Sequence, residues 1–294
     1  MNPHPNDPSN PGSPAMRNQP RIRGRLYAFL IAFVSAVGGF LFGYDLAIIG
    51  GANVFIREQF HLSEGLFGFT TASAGLGCII GSMSGAWFCD RFGRRNTLIS
   101  CCFFLAVGSL FTAIPQVLYP GNQIFVFNIF RIVGGVGVGL CSIASPMYTN
   151  EIAPARWRGG LGFMYQLAIV AGSIAAALAA WLIAKWFPGA ESWRWMLASE
   201  LLFVFVFTLL LFLLPESPRW LADRGRMSEA QTIFERIDGI EFARTEMVQV
   251  RKSLAAESGS LSELFTPGLR IALVVGLCWR CLTITRAGAP WAAT

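Results

Sequence analysis

With 54% hydrophobic and only 14% charged residues among 294, the chain is too apolar for an ordinary soluble domain and reads as an integral membrane protein. Its formal charge of +6 does not point to nucleic acid, because the basic residues lie in short connections between apolar runs and form no single face. His4 and His61 both fall outside the apolar runs, and Cys78, Cys89, Cys101, Cys102 and Cys141 fall within or at the ends of them as small packing residues, so metal, disulfide, cofactor or histidine-based enzyme chemistry is not expected.

Taken in order, Met1 to Pro20 is rich in Pro and Asn and lacks the apolar core of a signal peptide, so it reads as a disordered cytoplasmic tail. Arg21, Arg23 and Arg25 precede the run Leu26 to Ile49, long enough to cross a hydrocarbon core of about 30 Å. Five further runs follow at Leu66 to Cys89, Thr97 to Ile114, Ile124 to Ile143, Gly162 to Ala184 and Trp195 to Leu214, and a seventh begins near Leu269. The expected organisation is a tail over 1–20, a six-span body over 21–215, a cytoplasmic helical linker over 216–268 and an incomplete seventh helix over 269–294. In the linker, Pro215 and Pro218 break the sixth helix at the membrane edge. Ser228 with Gln231 reads as a capping box ahead of Ala230, Ile233, Phe234 and Ile237, and another helix is expected around Glu241 to Ala256.

Basic residues fix the orientation. The tail contributes Arg17, Arg21, Arg23 and Arg25, the second connection Arg91, Arg94 and Arg95, the fourth Arg156 and Arg158, and the sixth a longer series from Arg219 to Arg270. The opposite side carries only Arg57, Lys185 and Arg194, which places the N-terminus in the cytoplasm. Glycines four apart, at Gly39 and Gly43, at Gly77, Gly81 and Gly85, and at Gly135 and Gly139, predict close helix–helix contacts. The GGVGVG run, Gly134 to Gly139, follows Arg131 inside a span with no preceding strand and is not a dinucleotide loop.

Among the charges inside apolar runs, two stand out: Asp45 in GYDLAIIGGA and Arg131 in IFRIVGG. An unpaired charge at mid-span costs roughly 2.5 to 3.5 kcal/mol on the mildest insertion scale, so each needs a partner or water. Counted from the outer ends of their runs at 1.5 Å per residue, Asp45 lies about 9 Å deep and Arg131 about 10 Å, so they can serve each other. A pair of this kind is either a proton-sensitive switch or a structural bridge that sets helix register. At the cytoplasmic edge, Glu151 and Arg158 are expected to form a charge cluster with Asp90, Arg91, Arg94 and Arg95, joined by Glu216 and Arg219 from PESPRWL; a merely solvated loop is the alternative for the fourth connection.

The FGYD at Phe42 to Asp45, the GAWFCDRFGRR loop from Gly85 to Arg95, Arg131 with GVGVG, PMYTNEIAPARWRG and PESPRWL together resemble the sugar porter family of the major facilitator superfamily, over about Leu26 to Gly276. The resemblance implies an all-α membrane protein, the six-helix N-terminal half of a major facilitator fold built from two three-helix inverted repeats. It implies sugar:proton symport in the plasma (inner) membrane, with a sugar, a proton, the lipid bilayer and a separate C-terminal half as partners. By the same resemblance Asp45 matches the acid of proton-coupled members, Arg131 its partner, and Gln166 a glutamine that hydrogen-bonds sugar hydroxyls, although helix-to-helix bonding suits Gln166 equally. Phe42 and Tyr44, beside Asp45, offer aromatic faces to a sugar ring. The alternatives are an energy-independent sugar or polyol facilitator, or a remnant that senses sugar without moving it. The stretch Gly276 to Thr294 lacks the Gln-Gln and Asn expected of a seventh helix and would bring Arg280 and Arg286 into the membrane, so a changed frame or interrupted gene near Leu277 is expected.

Overall fold

The computed structural model describes residues 22–114, 123–153, 157–189 and 191–256. The expected tail over 1–20, the seventh helix over 269–294, and the linker beyond Ala256 lie outside them. The described residues form helices and no strand. Six helices are long and apolar enough to cross a membrane: α1 (Ile22–Phe60), α2 (Glu64–Phe92), α3 (Arg94–Ala113), α4 (Gln123–Ile152), α5 (Arg158–Trp186) and α6 (Ser192–Phe212). Three shorter ones follow: α7 (Pro218–Asp223), α8 (Met227–Asp238) and α9 (Ile240–Ala256). Residues up to Met247 form one packed unit; Val248 onward belongs to a second, described only through Ala256.

Helices α1 and α4 are the most enclosed of the six. Helix α1 packs on α5 and α6, while α4 packs on α2 and α3; α1 also meets α4, and α3 meets α6. Exchanging α1 with α4, α2 with α5 and α3 with α6 maps this set of neighbours onto itself. The six helices are therefore two repeats of three, and three spans per repeat make the second inverted relative to the first.

The packing is small side chains inward and large ones outward. On α2, Ala74, Gly77, Gly81 and Gly85 are buried, while Leu76, Ile79, Ile80, Met83 and Trp87 are exposed. On α5, Gly172, Ala176 and Ala180 face inward, and Leu167, Val170, Ile174, Leu178 and Trp181 face out. A soluble helix would reverse this, but lipid tails are as apolar as leucine, so close backbone approach drives association instead. Along the α2–α4 seam the two helices run parallel: Gly135 sits on the Ala74 carbonyl and Gly139 on that of Cys78. The α1–α5 seam repeats the device, with Gly39 on the Tyr165 carbonyl and Gly43 on that of Ile169.

The helices outrun the apolar runs that reveal them. Helix α1 continues past Ile49 to Phe60 through Arg57, Glu58 and Gln59, since helical hydrogen bonds continue where side chains turn polar. A second difference lies in the linker. Ser228 is inside α8, whose N-cap is Arg226, paired with Glu229; Gln231 reaches Glu235, so the expected capping box does not form. The cap that does form is Ser217, which accepts the Trp220 N–H at the start of α7, with Pro218 in the first turn. Ala230, Phe234 and Ile237 are buried as their spacing predicts.

At the α2–α4 seam a Cβ on Gly135 would fall inside the van der Waals radius of a backbone oxygen that cannot rotate away. Gly135→Ala is expected to destabilise the chain by about 1–3 kcal/mol. Gly162→Ala, which meets open space in α5, should be neutral or stabilising by up to about 1 kcal/mol. Thermal unfolding of both variants in detergent checks the contrast.

Candidate functional site

The two central helices meet at a charge. Gly43 and Tyr44 hold α1 tightly on either side of Asp45, Gly43 against α5 and Tyr44 against α6, so the carboxylate is aimed at α4. There Arg131 Nη1 donates to Asp45 Oδ1 at 2.6 Å, with the side chains 4% and 2% exposed. The bridge rests on that one contact: Asp45 Oδ2 and Arg131 Nε and Nη2 are buried without hydrogen-bond partners. A bridge built for stability would use the paired N–H groups of the guanidinium on both carboxylate oxygens.

A third buried ionisable side chain, absent from the sequence expectations, completes the site. Glu200 on α6 is 1% exposed, accepts the Ser109 hydroxyl at 2.6 Å through Oε2, leaves Oε1 unpartnered, and feels the charges of both Asp45 and Arg131. One guanidinium therefore has two carboxyl groups within electrostatic range. The run Trp195 to Leu214 contains Glu200 in plain view, and the rule that singles out Asp45 and Arg131 applies equally to it.

The residues expected to touch a sugar separate. Gln166 is exposed on α5 beside Phe163 and Leu167, on a flank the six helices leave uncovered, and Phe42 is half-buried. Tyr44 corrects the expectation. It is fully buried, its hydroxyl lies 2.6 Å from that of Ser199, and its ring packs against Phe40 and Phe203. Neighbours along a helix point in different directions, so adjacency to Asp45 does not bring Tyr44 to the same surface.

At the basic end, the charge cluster brings together Asp90, Arg94 and Glu151, with Glu216 on Arg95, and leaves Arg158 outside. Arg94 donates to Glu151 Oε1 through Nε at 3.1 Å and Nη2 at 2.8 Å, and its Nη1 reaches Asp90 at 3.2 Å and the Cys89 carbonyl at 3.1 Å. Glu151 also accepts the Ser217 hydroxyl at 2.5 Å. Arg158, the expected partner of Glu151, is instead exposed at the start of α5, 3.5 Å from the Ala153 carbonyl, because Arg94 already occupies that carboxylate. Arg91 is exposed, and Arg219 is partly buried on α7.

Much of this cluster satisfies helix ends. Arg95 donates to the Leu211 and Phe212 carbonyls at the C-terminus of α6, and Arg224 and Trp220 donate to the last carbonyls of α2. Glu216 caps the opposite pole, accepting the Arg95 N–H at the N-terminus of α3 and the Ser217 N–H, at 3.0 and 2.8 Å. Gly93, with φ of 92°, makes room: a side chain there would collide with the Glu216 carboxylate. Among the described residues, no group of three or more His, Cys, Asp or Glu could hold a metal ion.

A multi-span membrane body of two inverted three-helix repeats, with a buried ion pair between its central helices, has the fold of the N-terminal half of a major facilitator. Residues 31–284 match the model of the sugar (and other) transporter family, and the chain belongs to that family. The match runs beyond Gly276, where the recognisable motifs end. The arabinose-proton symporter of Bacillus subtilis is 38% identical over 85% of this chain and 54% of its own length. The D-xylose-proton symporter of Escherichia coli is 38% identical over 78% of this chain and 51% of its own. The solved structure of the proton:xylose symporter XylE bound to 6-bromo-6-deoxy-D-glucose superposes with a TM-score of 0.77 at 35% identity, covering 83% of this chain and 56% of that one. The chain thus spans about half the length of the relatives it matches.

Burial pushes the Glu216 carboxyl above its ordinary value of 4.5, against the opposing pull of the surrounding backbone N–H groups. A carboxyl raised on folding favours its protonated form, so its contribution is complete below the ordinary value and lost as pH rises through the folded one. The stability of Glu216→Gln relative to the parent chain should therefore increase as pH rises from the ordinary glutamate range. Thermal unfolding across that range checks the slope, and a flat difference would contradict it.

Proposed function

We propose that this chain supplies the first of two six-helix halves of a sugar:proton symporter that works by alternating access. It has no enzymatic chemistry of its own and resides in the plasma (inner) membrane with its basic end in the cytoplasm. The excess of arginine at that end supports the orientation. The second half is supplied separately or by sequence beyond this chain.

The observation that carries the reading is the single-contact bridge between Arg131 and Asp45. A proton on Asp45 removes the charge that holds Arg131 and frees the guanidinium to leave it. The protonated and unprotonated chains then prefer different arrangements, which is what joins proton flow to solute flow. Gln166, exposed on α5 and able to donate and accept, hydrogen-bonds the sugar where the two halves meet, and half-buried Phe42 supplies an apolar surface. Tyr44 supports this wall from behind. The Arg94, Glu151, Ser217 and Glu216 contacts act as the cytoplasmic latch of one arrangement, with exposed Arg91 and Arg158 within reach of the other half. The relatives named as arabinose-, xylose- and galactose-proton symporters favour a pentose or hexose as substrate.

Uptake of labelled sugar into vesicles containing the protein tests the reading. Accumulation should follow an imposed pH gradient, and Asp45→Asn should abolish accumulation while sparing exchange of internal for external sugar. Accumulation that persists in Asp45→Asn would remove Asp45 as the coupling site, and uptake indifferent to pH would favour a facilitator.

A further inference from the structure

One buried polar side chain in the membrane has no role in the bridge as it stands. Asn128 lies one turn before Arg131 on α4, is 5% exposed, and its amide oxygen accepts no hydrogen bond. Long side chains on a helix lean toward the N-terminus, over the residue three or four positions earlier. The Arg131 guanidinium therefore lies over the turn that carries Asn128, with two of its three nitrogens buried and unused. Helix α2 adds another unpartnered oxygen. Ala74 meets Gly135 and Cys78 meets Gly139 along the parallel seam, and the same offset sets Thr70 level with Arg131; its buried hydroxyl also lacks a partner.

An orphaned acceptor and orphaned donors a helical turn apart in a dry interior each carry a desolvation penalty that an apolar side chain would not. The arrangement makes sense if the donors and the acceptor meet in another state of the site. We propose that Asn128 is a positioning residue: its amide oxygen receives the Arg131 guanidinium when Asp45 is neutral, with Thr70 as a second acceptor. The guanidinium then moves along α4 between two buried acceptors and never stands without one. The titratable groups near it are Asp45 on α1, Cys78 on α2 beside Asp45, and Glu200 on α6. Glu200 is the other carboxyl that competes for the same nitrogens, which is why the test isolates the link between Asn128 and Asp45.

The inference rests on reading Asp45 as the group that gains and loses the proton. Its test is a double-mutant cycle on the thermal stability of the whole chain in detergent, comparing parent, D45N, N128L and D45N/N128L. In the parent background N128L should leave Tm unchanged or raise it, because it removes an unused polar group. In the D45N background, where Arg131 has lost its carboxylate, N128L should lower Tm by about 3–6 °C. Asn128→Ser, which keeps an acceptor, should recover part of that loss. Equal shifts in both backgrounds, or no loss in D45N, overturn the proposal. If D45N does not fold, parent and N128L are compared at neutral and acid pH: N128L should fall behind only in acid, and a pH-independent difference overturns the proposal. Because the readout is stability, the cycle can fail while transport remains proton-driven, and transport can fail while the cycle holds.

Discussion

A guanidinium and a carboxylate moved out of water each lose several kcal/mol of hydration, and the interior of this bundle compensates with a single 2.6 Å contact between Arg131 and Asp45. Removing one partner of such a pair typically costs 3–5 kcal/mol, whereas a matched pair is close to neutral against an apolar replacement. The bridge is therefore a constraint on which states the bundle can occupy more than a source of stability. It joins the first helix of one repeat to the first helix of the other, at the centre of the six-helix body. Glu200, held by Ser109 on α3, brings the third helix of each repeat to the same place.

The surrounding helices are built to leave that centre undisturbed. Glycine and alanine seams between α2 and α4 and between α1 and α5 let backbones touch, so the repeats are clamped by many close contacts. The polar demands of the helix ends are met at the basic end, where Arg94, Arg95, Arg224 and Trp220 take up terminal carbonyls and Glu216 takes up the N–H groups at the start of α3. Apart from the three ionisable groups at its centre, charge is thus kept toward the two ends of the bundle.

The fold was legible because bilayer thickness imposes long apolar runs and glycine spacing marks contact seams. The pairing of Asp45 with Arg131 was legible for a related reason, since an isolated charge at that depth is too costly to stand alone. Glu200 was just as readable and was passed over within a run rich in Leu and Phe. Tyr44 was misplaced because adjacency in sequence was read as adjacency in space, although its burial against α6 depends on which way the α1 turn faces. The members of the basic cluster are legible in the sequence, but which of them pair is not. Glu151 selects Arg94 over Arg158 through the relative placement of α3 and α5, which no spacing along the chain encodes. Helix ends were set too short because hydropathy ends where side chains turn polar, and helical hydrogen bonding does not.

The central claim is that the buried acid in α1 carries a proton along with the solute. It is tested most directly by following the pH of a lightly buffered suspension of de-energised vesicles when sugar is added outside. The account predicts that the medium becomes more alkaline as sugar enters, and that the change disappears when a protonophore collapses the proton gradient. Sugar entry at the same rate with no movement of protons would contradict it.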